Sequence, residues 1–140
     1  MATVGRLTPG PRWILWSKKM TATNTKKTRR SEHVEQREFV SWFRKTFDGV
    51  RIFAIPNGEA RSKSVGLRLA AEGVSKGVPD LFVPEWLWWC EMKQADGGTV
   101  SKEQKDWHEY LRWCGYNVSV CHGIEEAQEE ARRLYAARHP

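Results

Sequence analysis

The 140-residue chain predicts an α/β domain, a mixed four-stranded sheet flanked by helices in the order α-β-α-β-β-α-β-α. Two observations carry that reading. Apolar residues recur at helical spacing in three stretches: Phe39, Val40, Phe43 and Phe47; Trp107, Tyr110, Leu111 and Cys114; and Ile124, Ala127, Ala131, Leu134 and Tyr135. Between them run short β-branched and aromatic stretches bounded by Gly, Pro and Asn, which read as strands. Strands and helices interleaved in this way bury both faces of one sheet.

The elements follow in order. Ser31 is placed to cap a helix from about Glu32 to Phe47, stopped at Gly49. Glu35 stands on the edge of its apolar face, pointing inward. Val50 to Ile55 reads as a strand turned by Pro56-Asn57-Gly58, and Leu67 to Glu72 as a turn or two of helix ended by Gly73. A glycine-punctuated loop, Gly73 to Asp80, feeds a second strand from Asp80 to Val83. After Pro84-Glu85 comes a third strand, Trp86 to Lys93, whose period puts Leu87, Trp89, Glu91 and Lys93 on one face and Trp86, Trp88, Cys90 and Met92 on the other. Ser101-x-x-Gln104 fits a capping box for a helix through Cys114, closed by Gly115. Asn117 to Val120 is a fourth strand, and the final amphipathic helix follows. There is no internal repeat.

Composition narrows the function. At 40% hydrophobic and 11% aromatic residues the chain can bury a real core. No apolar run approaches the roughly 20 residues that cross a bilayer, and the first residues lack a secretory apolar segment. Cys90, Cys114 and Cys121 form no C-x-x-C pair, which disfavours a disulfide framework or a zinc knuckle and points to a reducing, cytoplasmic setting. The net charge of +6 is split: residues 1–30 hold eight Lys and Arg and no acid, whereas the rest is nearly balanced at −2. The expected organisation is a flexible basic arm (1–30) followed by one domain (31–140). Such an arm touches phosphates by Coulomb attraction or is simply solvated. Met20 is an alternative start, which would leave the preceding segment outside the natural protein.

Pro79-Asp80 opens one strand and Glu91-x-Lys93 closes the next. If these strands pair as a hairpin, Asp80, Glu91 and Lys93 converge. Two carboxylates brought together repel unless a cation sits between them. Hard oxygen donors without His or Cys favour Mg²⁺ or Mn²⁺, an ion able to polarise a phosphodiester and acidify a bound water. Lys93 would orient that water and stabilise the transition-state charge.

On these residues the chain resembles a stand-alone, phage-type VRR-NUC domain, a branch of the PD-(D/E)xK nuclease superfamily. The resemblance runs from Glu35 through Glu59-Ala60-Arg61, Gly77-Val78-Pro79-Asp80-Leu81, Glu91-Met92-Lys93 and Ser101-x-x-Gln104-x-x-Trp107 to Gly115. It implies a restriction-endonuclease-like core, with Asp80, Glu91 and the Met92 carbonyl as metal ligands and Lys93 as the catalytic lysine. It also implies that Glu35 completes the site through a second metal or a water, and that Gln104 faces it, although a capping box alone also explains Gln104. The activity implied is a Mg²⁺- or Mn²⁺-dependent, structure-specific DNA endonuclease. It would act as a homodimer on branched DNA such as four-way (Holliday) junctions, in the host cytoplasm if the source is a phage. Flap, nick or duplex-end cleavage and a non-catalytic DNA-binding module are the alternatives.

Arg61, Lys63, Arg68 and Lys76 are expected in loops flanking the acidic site, where carboxylates would otherwise repel DNA, and are read as a phosphate-binding rim. No base-reading element is apparent, so recognition would rest on DNA shape and backbone. His108 and His122 read as structural, Cys90 and Cys114 as small core residues, and Trp86, Trp88 and Trp89 as core or subunit interface.

Overall fold

The computed structural model describes residues 30–56 and 62–140. The expected basic arm, apart from Arg30, lies outside the described residues, as do Glu59, Ala60, Arg61 and most of the Pro56-Asn57-Gly58 turn.

Among the described residues the chain runs α1 (Glu32–Thr46), β1 (Phe53–Ala54), α2 (Lys63–Ala71), β2 (Leu81–Val83), a 3₁₀ turn (Pro84–Trp86), β3 (Trp88–Lys93), α3 (Lys102–Trp113), β4 (Asn117–His122) and α4 (Ile124–Arg138). The strands form one mixed sheet in the order β1-β2-β3-β4, antiparallel at the first two pairings and parallel at the last. The predicted α/β architecture, a mixed four-stranded sheet flanked by helices, is the one observed.

β3 is central, and its two faces meet different helices. Trp88, Cys90 and Met92 face a core with Phe39 and Phe43 of α1 and Ala127, Ala131 and Leu134 of α4, all at most 5% exposed. Phe39 meets Trp88 edge to face with ring centroids 6.1 Å apart. Cys90 lies 3.6 Å from Cys121 sulfur to sulfur, and that neighbour, with burial second, pushes the Cys90 thiol pKa well up. On the opposite face Trp89 stacks on Phe82 at 4.2 Å, while Glu91 and Lys93 lie beneath α3. The Trp89 indole N–H is buried there without a hydrogen-bond partner.

Several boundaries move for identifiable reasons. The Val50–Ile55 strand contracts to two residues because β2, its only pairing partner among the described residues, is itself three residues long. Ile55 N–H still reaches the Asp80 carbonyl at 2.8 Å, tying this edge to the site. α2 begins at Lys63 because the Ser62 hydroxyl accepts from Val65 N–H, a cap upstream of the apolar pattern. Of the predicted Trp86–Lys93 strand, Trp86 ends a 3₁₀ turn and Leu87 caps that turn in a left-handed conformation at φ 48°, so the strand begins at Trp88.

The inner face of α3 is corrected. Tyr110 is 53% exposed and Cys114 lies on the surface, whereas His108 and Leu111 are buried. The predicted stripe holds at Leu111 and, half-buried, at Trp107, and fails at Tyr110 and Cys114, because the side of α3 facing the sheet meets charged residues of β3.

Candidate active site

The antiparallel register of β2 and β3 pairs Leu81 with Cys90, which brings Asp80 beside Glu91 at the carboxyl end of β3. The Asp80 carboxylate accepts from Met92 N–H at 2.8 Å through Oδ2. Its partner Glu91 is 2% exposed. Burial first and the Glu91 charge second raise the Asp80 pKa from the ordinary 3.8 to about 7, against the pull of the Met92 N–H and Lys93. Such a carboxylate pair is costly in an apolar setting without an added positive charge.

Gln104 ties the group together. Its Nε2 donates to Glu91 Oε1 at 2.7 Å, and its Oε1 accepts from Lys93 Nζ at 3.1 Å and from Ser101 N–H at 2.8 Å. Ser101 Oγ accepts in return from Gln104 N–H at 3.2 Å, completing the capping box. The sequence left a choice between a cap and a site contact, and one amide makes both sets of bonds. Lys93, 7% exposed, also stands 3.5 Å from Glu91 Oε1. The buried ammonium therefore has a carboxylate and an amide oxygen as neighbours.

Two glycines permit this packing. Gly77, at φ +95°, brings the glycine loop against the start of α3, where a Cβ would stand 2.6 Å from the Glu103 carbonyl carbon and 2.9 Å from Gln104 N. Gly98 lies over Lys93, where a Cβ would come within 2.8 Å of the lysine Cβ. Both positions exclude a side chain by contact, so the loops can close over the charged cluster.

A solved VRR_NUC domain protein, 20% identical, superposes with a TM-score of 0.64 over 75% of this chain and 88% of its own length. The fold is the VRR-NUC fold. No protein-family model matches the chain, and no curated protein does.

Within this VRR-NUC fold the predicted residues fall into distinct places. Asp80, Glu91, Lys93 and Gln104 form one cluster, with the Met92 backbone bonded into it. Glu35, 1% exposed, is held elsewhere on the same end of the sheet: its Oε2 accepts from Ile124 N–H at 2.7 Å. That bond caps α4, whose own N-cap, Gly123, has no side chain to offer. Gly123 N–H in turn reaches the Lys93 carbonyl at 2.9 Å, so Glu35 and Lys93 touch adjacent peptide units. Among the described residues, no group of three or more His, Cys, Asp or Glu is placed to hold a metal, so Glu35 does not stand with Asp80 and Glu91 as a third direct donor.

Lys63, Arg68 and Lys76 are exposed on α2 and the glycine loop, and Lys76 lies 3.7 Å from Glu103. Arg61 lies outside the described residues. Two features add to these residues, the first not expected from the sequence and the second expected there only as a structural histidine. One is a shallow furrow of about 550 Å³ along α1, lined by His33, Gln36, Arg37, Ser41, Arg44 and Lys45 beside Val40, with no acid in its lining. Its residues recur at helical spacing and could have been found. The other is His108, buried against Glu91. Its spacing of one turn from Gln104 is the signal that was available. No helix among the described residues is long and apolar enough to cross a membrane.

Proposed function

We propose that the chain is a divalent-metal-dependent DNA endonuclease that hydrolyses phosphodiester bonds. The observation that carries this reading is the buried Asp80–Glu91 pair, with Asp80 raised to about 7 and one Glu91 oxygen left without a partner. These hard oxygen donors fit Mg²⁺ or Mn²⁺. Asp80, Glu91 and the Met92 carbonyl would hold the ion, and Glu35 would complete the shell through water. When bound, the ion supplies Lewis-acid activation of the phosphodiester and acidification of water.

The remaining work falls to the chain's own residues. Lys93 presents a buried positive charge to the phosphoryl oxygens, where low dielectric strengthens its attraction for developing negative charge. Gln104 holds Lys93 and Glu91 at fixed separation, so neither must reorganise during reaction. Arg61, Lys63, Arg68 and Lys76 would take the flanking phosphates.

Branched DNA, with four-way junctions first, is the substrate we favour, and a homodimer the acting form, in the cytoplasm. Symmetric junction cleavage needs two nicks, and one chain supplies one site. Two surfaces support a second copy: α2 buries none of its residues and exposes Leu67 at 66%, and Trp113 on α3 is 82% exposed.

The test is cleavage of a labelled four-way junction beside a flap and a linear duplex, with Mg²⁺ or Mn²⁺. Preferential junction cutting that disappears in Glu91→Ala and Lys93→Ala is expected. Equal cutting of all three substrates removes the junction preference, and a parent that binds DNA but cuts none removes the nuclease.

A further inference from the structure

His108 lies on α3 one turn beyond Gln104, on the face turned to β3, and is 3% exposed. Its Nε2 faces Glu91 Oε2 at 3.8 Å. That is too long for a hydrogen bond, and each atom is buried with no other partner. Buried polar atoms are nearly always paired, so two that face one another unpaired call for a physical reason. A histidine serving only to fill the core would be satisfied or replaced by an apolar side chain, as Leu111 fills the next position on the same face.

The two oxygens of Glu91 are held unequally. Oε1 takes Gln104 Nε2 at 2.7 Å and has Lys93 Nζ at 3.5 Å. Oε2 makes no hydrogen bond and has His108 Nε2 3.8 Å away. The carboxylate is therefore anchored by a hydrogen bond at one oxygen and not at the other.

We infer that His108 is a positioning residue for Glu91: its Nε2–H closes on Oε2 and fixes the plane of the carboxylate when the site is loaded. This rests on reading Asp80 and Glu91 as ligands of a divalent ion. His108 itself touches neither ion nor substrate. An anchored carboxylate gives up less freedom on binding the ion, and removing hydrogen bonds of this kind from metal-binding carboxylates costs roughly 10–100-fold in metal affinity.

Two variants separate positioning from packing. His108→Leu keeps bulk and removes the donor, whereas His108→Gln restores an N–H near the Nε2 position. Calorimetric titration with Mn²⁺ should show affinity reduced about tenfold or more in His108→Leu and returned to within about threefold of the parent in His108→Gln. The melting temperature of metal-free His108→Leu should be equal to or above that of the parent, because a buried unpaired polar group has been removed. Equal Mn²⁺ affinity in parent and His108→Leu, or equal losses in both variants, overturns the inference while leaving the ligands in place. A parent that binds no Mn²⁺ overturns the ligand reading and this inference together.

Discussion

β3 begins beside a carboxylate that is fully engaged in hydrogen bonds and ends where charges are crowded. Near its start, Trp88 Nε1 donates to Ser119 Oγ at 3.0 Å, Ser119 donates to Glu130 at 2.9 Å, and Arg133 grips Glu130 at 2.6 and 2.8 Å. Arg133 accordingly lowers the Glu130 pKa below its ordinary value. At the other end, burial and a second carboxylate drive Asp80 the opposite way, to about 7. A single six-residue strand thus carries a stabilised carboxylate network at one end and a frustrated pair at the other. The lesson is that the fold's stability is invested in the aromatic end, which holds the charged end in a geometry it would not choose alone.

That contrast can be broken from either side. The largest effect is expected on activity: Asp80→Ala, Glu91→Ala or Lys93→Ala should lower cleavage by about a hundredfold or more, the scale of deleting one charge-stabilising group. At the aromatic end Phe39→Ala should instead cost about 3–5 kcal/mol of stability, read by denaturant unfolding. Activity lost through unfolding and activity lost through chemistry would then map to opposite ends of one strand.

Asp80→Asn should stabilise the metal-free protein at pH 8, because the raised pKa makes the ionised carboxylate unfavourable in the folded state. The sign follows from linkage. Between about pH 4 and 7 the folded chain retains a proton that the unfolded chain has lost, so the stability Asp80 contributes is full below about 4 and gone above about 7. Melting curves of parent and Asp80→Asn should diverge as pH rises through this window, and added Mg²⁺ should close the gap. Curves that stay parallel at every pH would mean that Asp80 is not held in this way.

Gly77→Ala sits between the two regions. With backbone at 2.6 Å from the new Cβ, the start of α3 must shift, at a cost of roughly 1–3 kcal/mol. Gln104 would move with it, so cleavage should fall further than stability alone explains. The smallest expected effect belongs to the rim: each of Lys63→Ala, Arg68→Ala and Lys76→Ala should weaken DNA binding modestly and reduce the salt slope by about 0.9. Slopes unchanged in the triple variant would remove these residues from the interface.

The sequence made the convergence of Asp80, Glu91 and Lys93 legible because a hairpin register leaves little freedom: once β2 and β3 pair, the start of one must meet the end of the other. The capping box at Ser101 and Gln104 was legible for the same local reason. What was hidden depends on tertiary contact. The buried face of α3 carries Gln104 and His108 because the strand beneath it is charged, and no hydrophobic pattern marks a polar face buried against charge. Glu35 looked like an inward acid, which it is, but its bond to Ile124 joins residues too far apart in sequence for any spacing rule. The arm of residues 1–30 remains an expectation of charge alone.

The central claim, that the Asp80–Glu91 pair is a cation site, is tested most directly by titrating Mg²⁺ into the protein at pH 8 and following its melting temperature. A saturable rise is expected in the parent and none in Asp80→Asn or in Glu91→Gln. A parent that shows no rise, or variants that rise as the parent does, would contradict it.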